Sequence, residues 1–158
     1  MKLIRGDVMS ALGTVDILLV TGNSTINKSG KLCMGAGAAK ALRDRFPDAA
    51  DEAASLLLRA SGSSYYAMWW PSRDREGREF TIGLFQTKHS WRSPSDLATI
   101  RASTWFLARQ VTYQNRLTFA LNFPGIGLGG LRREDVLGVI SSLPDNVEIW
   151  EMEAQSNG

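Results

Sequence analysis

One cysteine and one histidine in 158 residues remove several functions at once. Cys33 alone cannot form an intrachain disulfide, and one thiol with one imidazole cannot build a cysteine-rich or structural zinc cage. No apolar run approaches the ~18 residues that a bilayer-spanning helix needs. The residues Met1 to Asp7 carry no long apolar segment either, so no signal peptide is expected. Charge of one sign is also lacking. Eighteen basic against 16 acidic residues leave a net charge of +2, too little to predict strong attraction to nucleic acid or a membrane surface. The expectation is a cytoplasmic protein with no membrane partner. No internal repeat or linker interrupts the chain, so one domain over 1–152 and a short C-terminal tail over 153–158 are expected.

Glycine, by contrast, is plentiful and clustered. Asp16-Ile17-Leu18-Leu19-Val20 is a continuous apolar run with β-branched members, which suits a strand covered on both faces. A polar turn from Thr21 to Lys31 leads to Met34-Gly35-Ala36-Gly37 and a helical pattern stopped by Phe46-Pro47. Glycines just ahead of a helix let bare backbone approach a ligand. The first-turn N–H groups then face it with the positive end of the helix dipole. A phosphate can be held this way without a cluster of Lys and Arg.

Strands alternate with helices along the rest of the chain. Lys2–Arg5, Tyr65–Trp70, Glu79–Thr87, Arg116–Phe123 and Val147–Glu151 read as further strands. Asp48–Ala60, closed by Ser61-Gly62, reads as a second helix, and Arg132–Leu143 as the last. Between them, Ser93-Pro94-Ser95-Asp96 reads as a helix start with Ser93 at the cap and Pro94 in the first turn. Leu97, Ile100, Thr104, Leu107 and Val111 continue it at helical spacing. The pattern predicts an α/β fold, with a mixed, mostly parallel sheet between two helical layers.

Three chemical features fall at carboxyl ends of expected strands: the Thr21–Gly37 loop, the Lys88-His89 pair and the Gly125–Gly130 loop. Open α/β sheets bind ligands in the crevice outside those ends. Two glycine loops facing each other across one cleft suit a diphosphate. Gly125-Ile126-Gly127-Leu128-Gly129-Gly130 also satisfies the dinucleotide fingerprint, but it lies near the end of the chain with one strand to follow. Gly22 to Ser29 is a near miss to a P-loop, with Asn27 where the second glycine should stand.

Val20-Thr21-Gly22-Asn23, Met34-Gly35-Ala36-Gly37-Ala38-Ala39 and Phe123-Pro124-Gly125-Ile126-Gly127-Leu128-Gly129-Gly130-Leu131 together resemble a macrodomain, over nearly the whole chain. Within that superfamily the sequence is most similar to the ADP-ribosyl-glutamate hydrolase branch. The resemblance implies a three-layer α/β/α sandwich that binds ADP-ribose or an ADP-ribosylated macromolecule, a nucleic acid entering only as such a target, with no cofactor. Gly6-Asp7-Val8 resembles the family's Gly-Asp-Ile, which places Asp7 and Val8 at the adenine. Asn23 is implied at the distal ribose, with Thr21 beside it. Met34, Gly35, Ala36 and Gly37 on one side, and Pro124, Gly125, Ile126, Gly127, Leu128 and Gly129 on the other, are implied around the diphosphate. Thr87-Lys88 resembles the branch's Thr-Lys step, whose lysine attacks the anomeric carbon of the distal ribose.

Two departures stand out. Only the second asparagine of the usual Asn-Ala-Ala-Asn is matched, by Asn23. The branch's second-loop aspartate also has no counterpart after Gly129-Gly130-Leu131, where Glu134 and Asp135 follow on the expected helix. Simpler readings remain open beside the functional ones: Asp7 as a helix cap, Asn23 as a turn residue, Lys88 as a phosphate clamp. His89 and Cys33 read as non-catalytic, the tryptophans as core or rim packing, and Arg73, Arg75 and Arg78 as hairpin charges. Three functions follow: hydrolysis of ADP-ribosyl groups or of ADP-ribose 1″-phosphate, a non-catalytic reader, or another NAD-type dinucleotide binder.

Overall fold

The computed structural model describes residues 1–60 and 64–153. Six strands form one sheet: β1 (Lys2–Arg5), β2 (Ile17–Gly22), β3 (Ala67–Arg73), β4 (Glu79–Gln86), β5 (Phe119–Asn122) and β6 (Val147–Glu151). Four helices cover it: α1 (Gly37–Arg45), α2 (Ala49–Arg59), α3 (Leu97–Tyr113) and α4 (Arg133–Ile140). The sheet order is β1-β6-β5-β2-β4-β3, and every neighbouring pair is parallel except β3 with β4.

The apolar run in β2 is buried on both faces, as its composition predicts. Leu18 and Val20 join the core formed with α1 and α2, while Ile17 and Leu19 join the core formed with α3 and α4. That alternation follows from the two-residue repeat of a strand. Leu42, Phe46, Ala53 and Leu57 cover one face; Ile100, Leu107, Val111, Val136 and Ile140 cover the other. The result is the three-layer α/β/α sandwich with a mostly parallel sheet.

β3 is antiparallel because a tight turn joins it to β4, and a hairpin permits no other direction. Asp74 organises that turn: its carboxylate accepts from the Glu76 and Arg78 N–H groups at 3.0 and 2.9 Å. Arg78 lies 3.1 Å from Asp74, and Arg73 lies 3.5 Å from Glu79. These arginines therefore bind the hairpin, at the end of β4 opposite its carboxyl terminus. Pro71 sits in β3, an edge strand, where a missing N–H is tolerated.

Several boundaries differ from the sequence reading. α3 begins at Leu97, and its cap is Asp96, whose Oδ1 accepts from the Ala98 N–H at 3.3 Å, in place of Ser93. The Thr99 hydroxyl donates to the other oxygen at 2.7 Å, and this bond above all holds the carboxyl below its ordinary range. β3 starts at Ala67 and β5 at Phe119, both later than the hydrophobic pattern suggests. The close of α2 at Ser61-Gly62 and most of the expected tail, 154–158, lie outside the described residues. Among the described residues no helix is long and apolar enough to cross a membrane.

Candidate functional site

Because β1, β2, β4, β5 and β6 run in one direction, their carboxyl ends share one rim of the sheet. A cleft of about 1290 Å³ opens there, large beside the ~300–1,000 Å³ of ordinary ligand pockets. Its lining includes Asp7 and Val8 after β1, Thr21 and Asn23 around the end of β2, and Met34 to Gly37 at the start of α1. Thr87 and Lys88 line it after β4, and Gly125 to Gly129 after β5. Of the expected site residues, only Pro124 is absent from the lining; it is buried.

The first glycine loop presents free donors. Ala36 caps α1 without any side-chain hydrogen bond, and the first helical bond runs from Lys40 N–H to Ala36 O. The N–H groups of Gly37, Ala38 and Ala39 thus have no helical partner and point out of the helix end. The second loop folds into a short 3-10 helix over Gly127–Gly129. Within it the Gly129 N–H donates to Ile126 O at 3.2 Å, which leaves Gly127 and Leu128 as the open donors. Leu128 sits at the tip, 82% exposed. The helix that follows starts only at Arg133, so these glycines do not open a helix as the dinucleotide fingerprint requires.

Gly125 and Gly129 are glycines for steric reasons. Gly125 has φ +78°, and a Cβ there would stand 2.6 Å from Ile100 Cδ1 and 2.9 Å from Leu131 Cδ1. A Cβ on Gly129 would meet Ser95 Oγ at 2.5 Å. The loop is thereby pressed against the start of α3.

Thr21 to Cys33 forms a braced hairpin instead of a P-loop. Ile26 bridges Leu32 in antiparallel fashion, Asn27 N–H donates to Lys31 O at 2.8 Å, and no helix starts at Lys28-Ser29. Asn23 is buried: its Nδ2 donates to Cys33 O at 3.0 Å, and its Oδ1 accepts from Thr25 N–H at 2.9 Å. It therefore acts as a staple of the loop, as the turn reading has it, while still lining the cleft. Tyr65, buried, donates its hydroxyl to Asn23 O at 2.9 Å, and burial pushes the phenol far above its ordinary range, so it remains a neutral donor. Asp7 likewise caps the 3-10 helix Val8–Ala11, with Oδ1 accepting from Met9 N–H at 3.0 Å. Its side chain stays exposed at the cleft wall.

Lys88 Nζ donates to the backbone carbonyls of Ser93 at 3.0 Å and Trp91 at 3.4 Å. The loop after β4 is fixed from below by Gln86, fully buried. Its Oε1 accepts from Tyr65 N–H at 3.0 Å, and its Nε2 lies 3.1 Å from His89 Nδ1. Ser24 and Thr25 reach across to His89 O, so His89 contributes a loop tie through its backbone. Thr87 is 3% exposed, and its carbonyl accepts from Asp96 N–H at 2.9 Å.

Residues not singled out from sequence complete the walls. Asn122, at the end of β5, accepts from Thr21 N–H at 2.9 Å and donates to Thr21 Oγ1 at 3.1 Å. Arg133 makes a two-pronged pair with Glu151 at 2.8 and 3.0 Å, and its guanidinium lies 5.3 Å over the Phe123 ring. The Glu151 hydrogen bonds raise its pKa above the ordinary value. Trp91 is half exposed at the cleft mouth, and Trp105 stands outside on α3 with Arg109 4.8 Å over its ring. Trp105 is therefore neither core nor cleft rim. Glu134 and Asp135 line a separate depression between α3 and α4, with Leu97 and Arg101, and do not reach the main cleft. Among the described residues no three His, Cys, Asp or Glu side chains gather to hold a metal ion.

No protein-family model matches the sequence, and no curated protein matches it. Solved structures do. The macrodomain of Thermus aquaticus DarG is 25% identical, with 97% of each chain covered and a TM-score of 0.71. The macrodomain of Mycobacterium tuberculosis DarG is 26% identical, covering 96% of this chain and 98% of its own, with a TM-score of 0.73. Thermosipho africanus DarTG, solved in complex with ADP-ribose, is 20% identical over 96% of this chain and 42% of its own, with a TM-score of 0.67.

Proposed function

We propose that this chain, which belongs to the macrodomain superfamily, binds ADP-ribose in the cleft at the carboxyl ends of its strands. The observation that carries this reading is the convergence of two glycine loops and Lys88 on one cleft. The free N–H groups of Gly35 to Ala39 and of Gly127 and Leu128 supply donors from two sides, which suits a diphosphate, an acceptor-only group. Asp7 retains a carboxylate oxygen beyond the one used for its cap and accepts from the adenine amino group, with Val8 beneath the ring. Thr21 and Asn23 stand at the distal ribose. The binding of ADP-ribose by the Thermosipho africanus protein supports the choice of ligand.

Turnover at the distal ribose, releasing an ADP-ribosyl group or a 1″-phosphate, is assigned to Lys88. An ammonium donating to two carbonyls is held in place by them, so Lys88 acts first as a fixed positive charge beside the distal end. Attack on the anomeric carbon requires it to leave both carbonyls, since the nucleophile is the free amine. The same two bonds, and a second loop without a carboxylate, favour the reader as the second reading. Incubation with protein ADP-ribosylated on glutamate separates them. The wild type releases label and Lys88→Ala retains it while still binding ADP-ribose; equal retention by both removes the hydrolase and leaves the reader.

A further inference from the structure

Between Lys88 and the start of α3, one buried polar side chain is left without a task. Ser95 is 7% exposed and lines the cleft. Its N–H donates to Gly129 O at 2.9 Å, and its Oγ lies directly beneath Gly129. The hydroxyl makes no hydrogen bond to any described residue. Nor is the oxygen sealed in the core: Thr104 Oγ1 alone among described side-chain atoms is both enclosed and unpartnered. A nearly buried hydroxyl that faces open space and lacks a protein partner is a donor awaiting an acceptor.

We propose that Ser95 is a ligand-binding residue, its hydroxyl donating to an oxygen of the distal phosphate of bound ADP-ribose. The proposal rests on the ADP-ribose reading of this cleft and assigns to a side chain part of what the glycine loops do by backbone. Phosphate is the fitting group because Ser95 shares its loop contact with Gly127 and Leu128, whose free N–H groups are also donors. The two N–H groups can only donate, and with the hydroxyl donating beside them the group favours an acceptor-only anion over a ribose hydroxyl, which brings a proton of its own. The same loop holds Lys88 Nζ on Ser93 O, two residues earlier, so the hydroxyl and the ammonium are set by one backbone segment. Glycine at 129 follows from this placement, since any side chain there would displace the hydroxyl.

Calorimetric titration of the wild type and Ser95→Ala with ADP-ribose, ADP and AMP tests the assignment. The alanine keeps the backbone bond to Gly129, so its thermal melt matches the wild type. ADP-ribose and ADP, which carry the distal phosphate, each bind the variant about tenfold more weakly, as loss of a hydrogen bond to a charged group predicts. AMP, which lacks that phosphate, binds both proteins equally. An unchanged ADP-ribose affinity overturns the proposal, as does an equal loss for AMP. A loss for ADP-ribose but not for ADP overturns the phosphate assignment in favour of the ribose. Failure of the wild type to bind ADP-ribose overturns the functional reading itself, and the proposal with it.

Discussion

Substituting alanine at Gly125 tests how the second glycine loop is held in place. The residue sits at φ +78°, where an L side chain costs about 1–2 kcal/mol in backbone energy. Its Cβ would also stand 2.6 Å from Ile100 Cδ1 and 2.9 Å from Leu131 Cδ1, so these two methyl groups must move within a packed core. Overpacking of that kind adds about 1–3 kcal/mol. Together the two effects come to about 2–5 kcal/mol, a melting-point drop on the order of 10 °C in a chain of this size. Gly127→Ala is the matched control. It lies in the same loop at φ +63° but has nothing within 4 Å of the added Cβ, so only the backbone effect applies. Thermal unfolding followed by circular dichroism should show Gly125→Ala melting well below Gly127→Ala, and both below the wild type. If the two variants melt together, the loop is not packed on Ile100 and Leu131 as described.

Tyr65→Phe removes the buried donor to Asn23 O and leaves that carbonyl unsatisfied. We expect a loss of about 1–3 kcal/mol in urea unfolding; no change would show that the Tyr65 hydroxyl does not brace the first loop. Asp96 titrates below its ordinary range in the folded chain, chiefly through the Thr99 hydroxyl. Its stabilisation is therefore present above the unfolded carboxylate pKa, about 3.9, and is lost as the pH falls through the lower folded value. Asp96→Asn should show a shallower acid loss of stability than the wild type, and parallel acid-unfolding curves would contradict this. Lys88→Met should leave ADP-ribose affinity within about tenfold, because backbone donors carry most of the diphosphate binding. A loss of all binding in that variant would make the lysine, not the loops, the principal anchor.

Much of this architecture is legible in the chain because its signals are local. The apolar run Ile17–Val20, the glycines before α1 and the helical spacing of Ile100, Leu107 and Val111 each report their own neighbourhood. So does the order of strands and helices, which places the loops after β2, β4 and β5 on one rim. What escapes is set by contacts between distant residues. Asn122 and Thr21 exchange two hydrogen bonds across 101 residues, and neither residue type announces the other. Gln86 reads as one polar residue in a strand, yet it ties the Lys88 turn to the backbone of Tyr65. The cap of α3 escapes for a different reason: Ser93 reads as the cap, but Asp96 can also accept from a helix end, and the path of the loop over Gly129 favours Asp96. Ser95 escapes with it: the pattern reads it as part of the helix start, while the fold puts it in the lining of the cleft.

The most direct test is an amide NMR titration of the wild-type chain with ADP-ribose. The signals of Gly35 to Ala39 and those of Gly127 and Leu128 should move together, along one saturation curve with a single Kd. Movement confined to one of the two loops, or none at millimolar ligand, would contradict a diphosphate held between them.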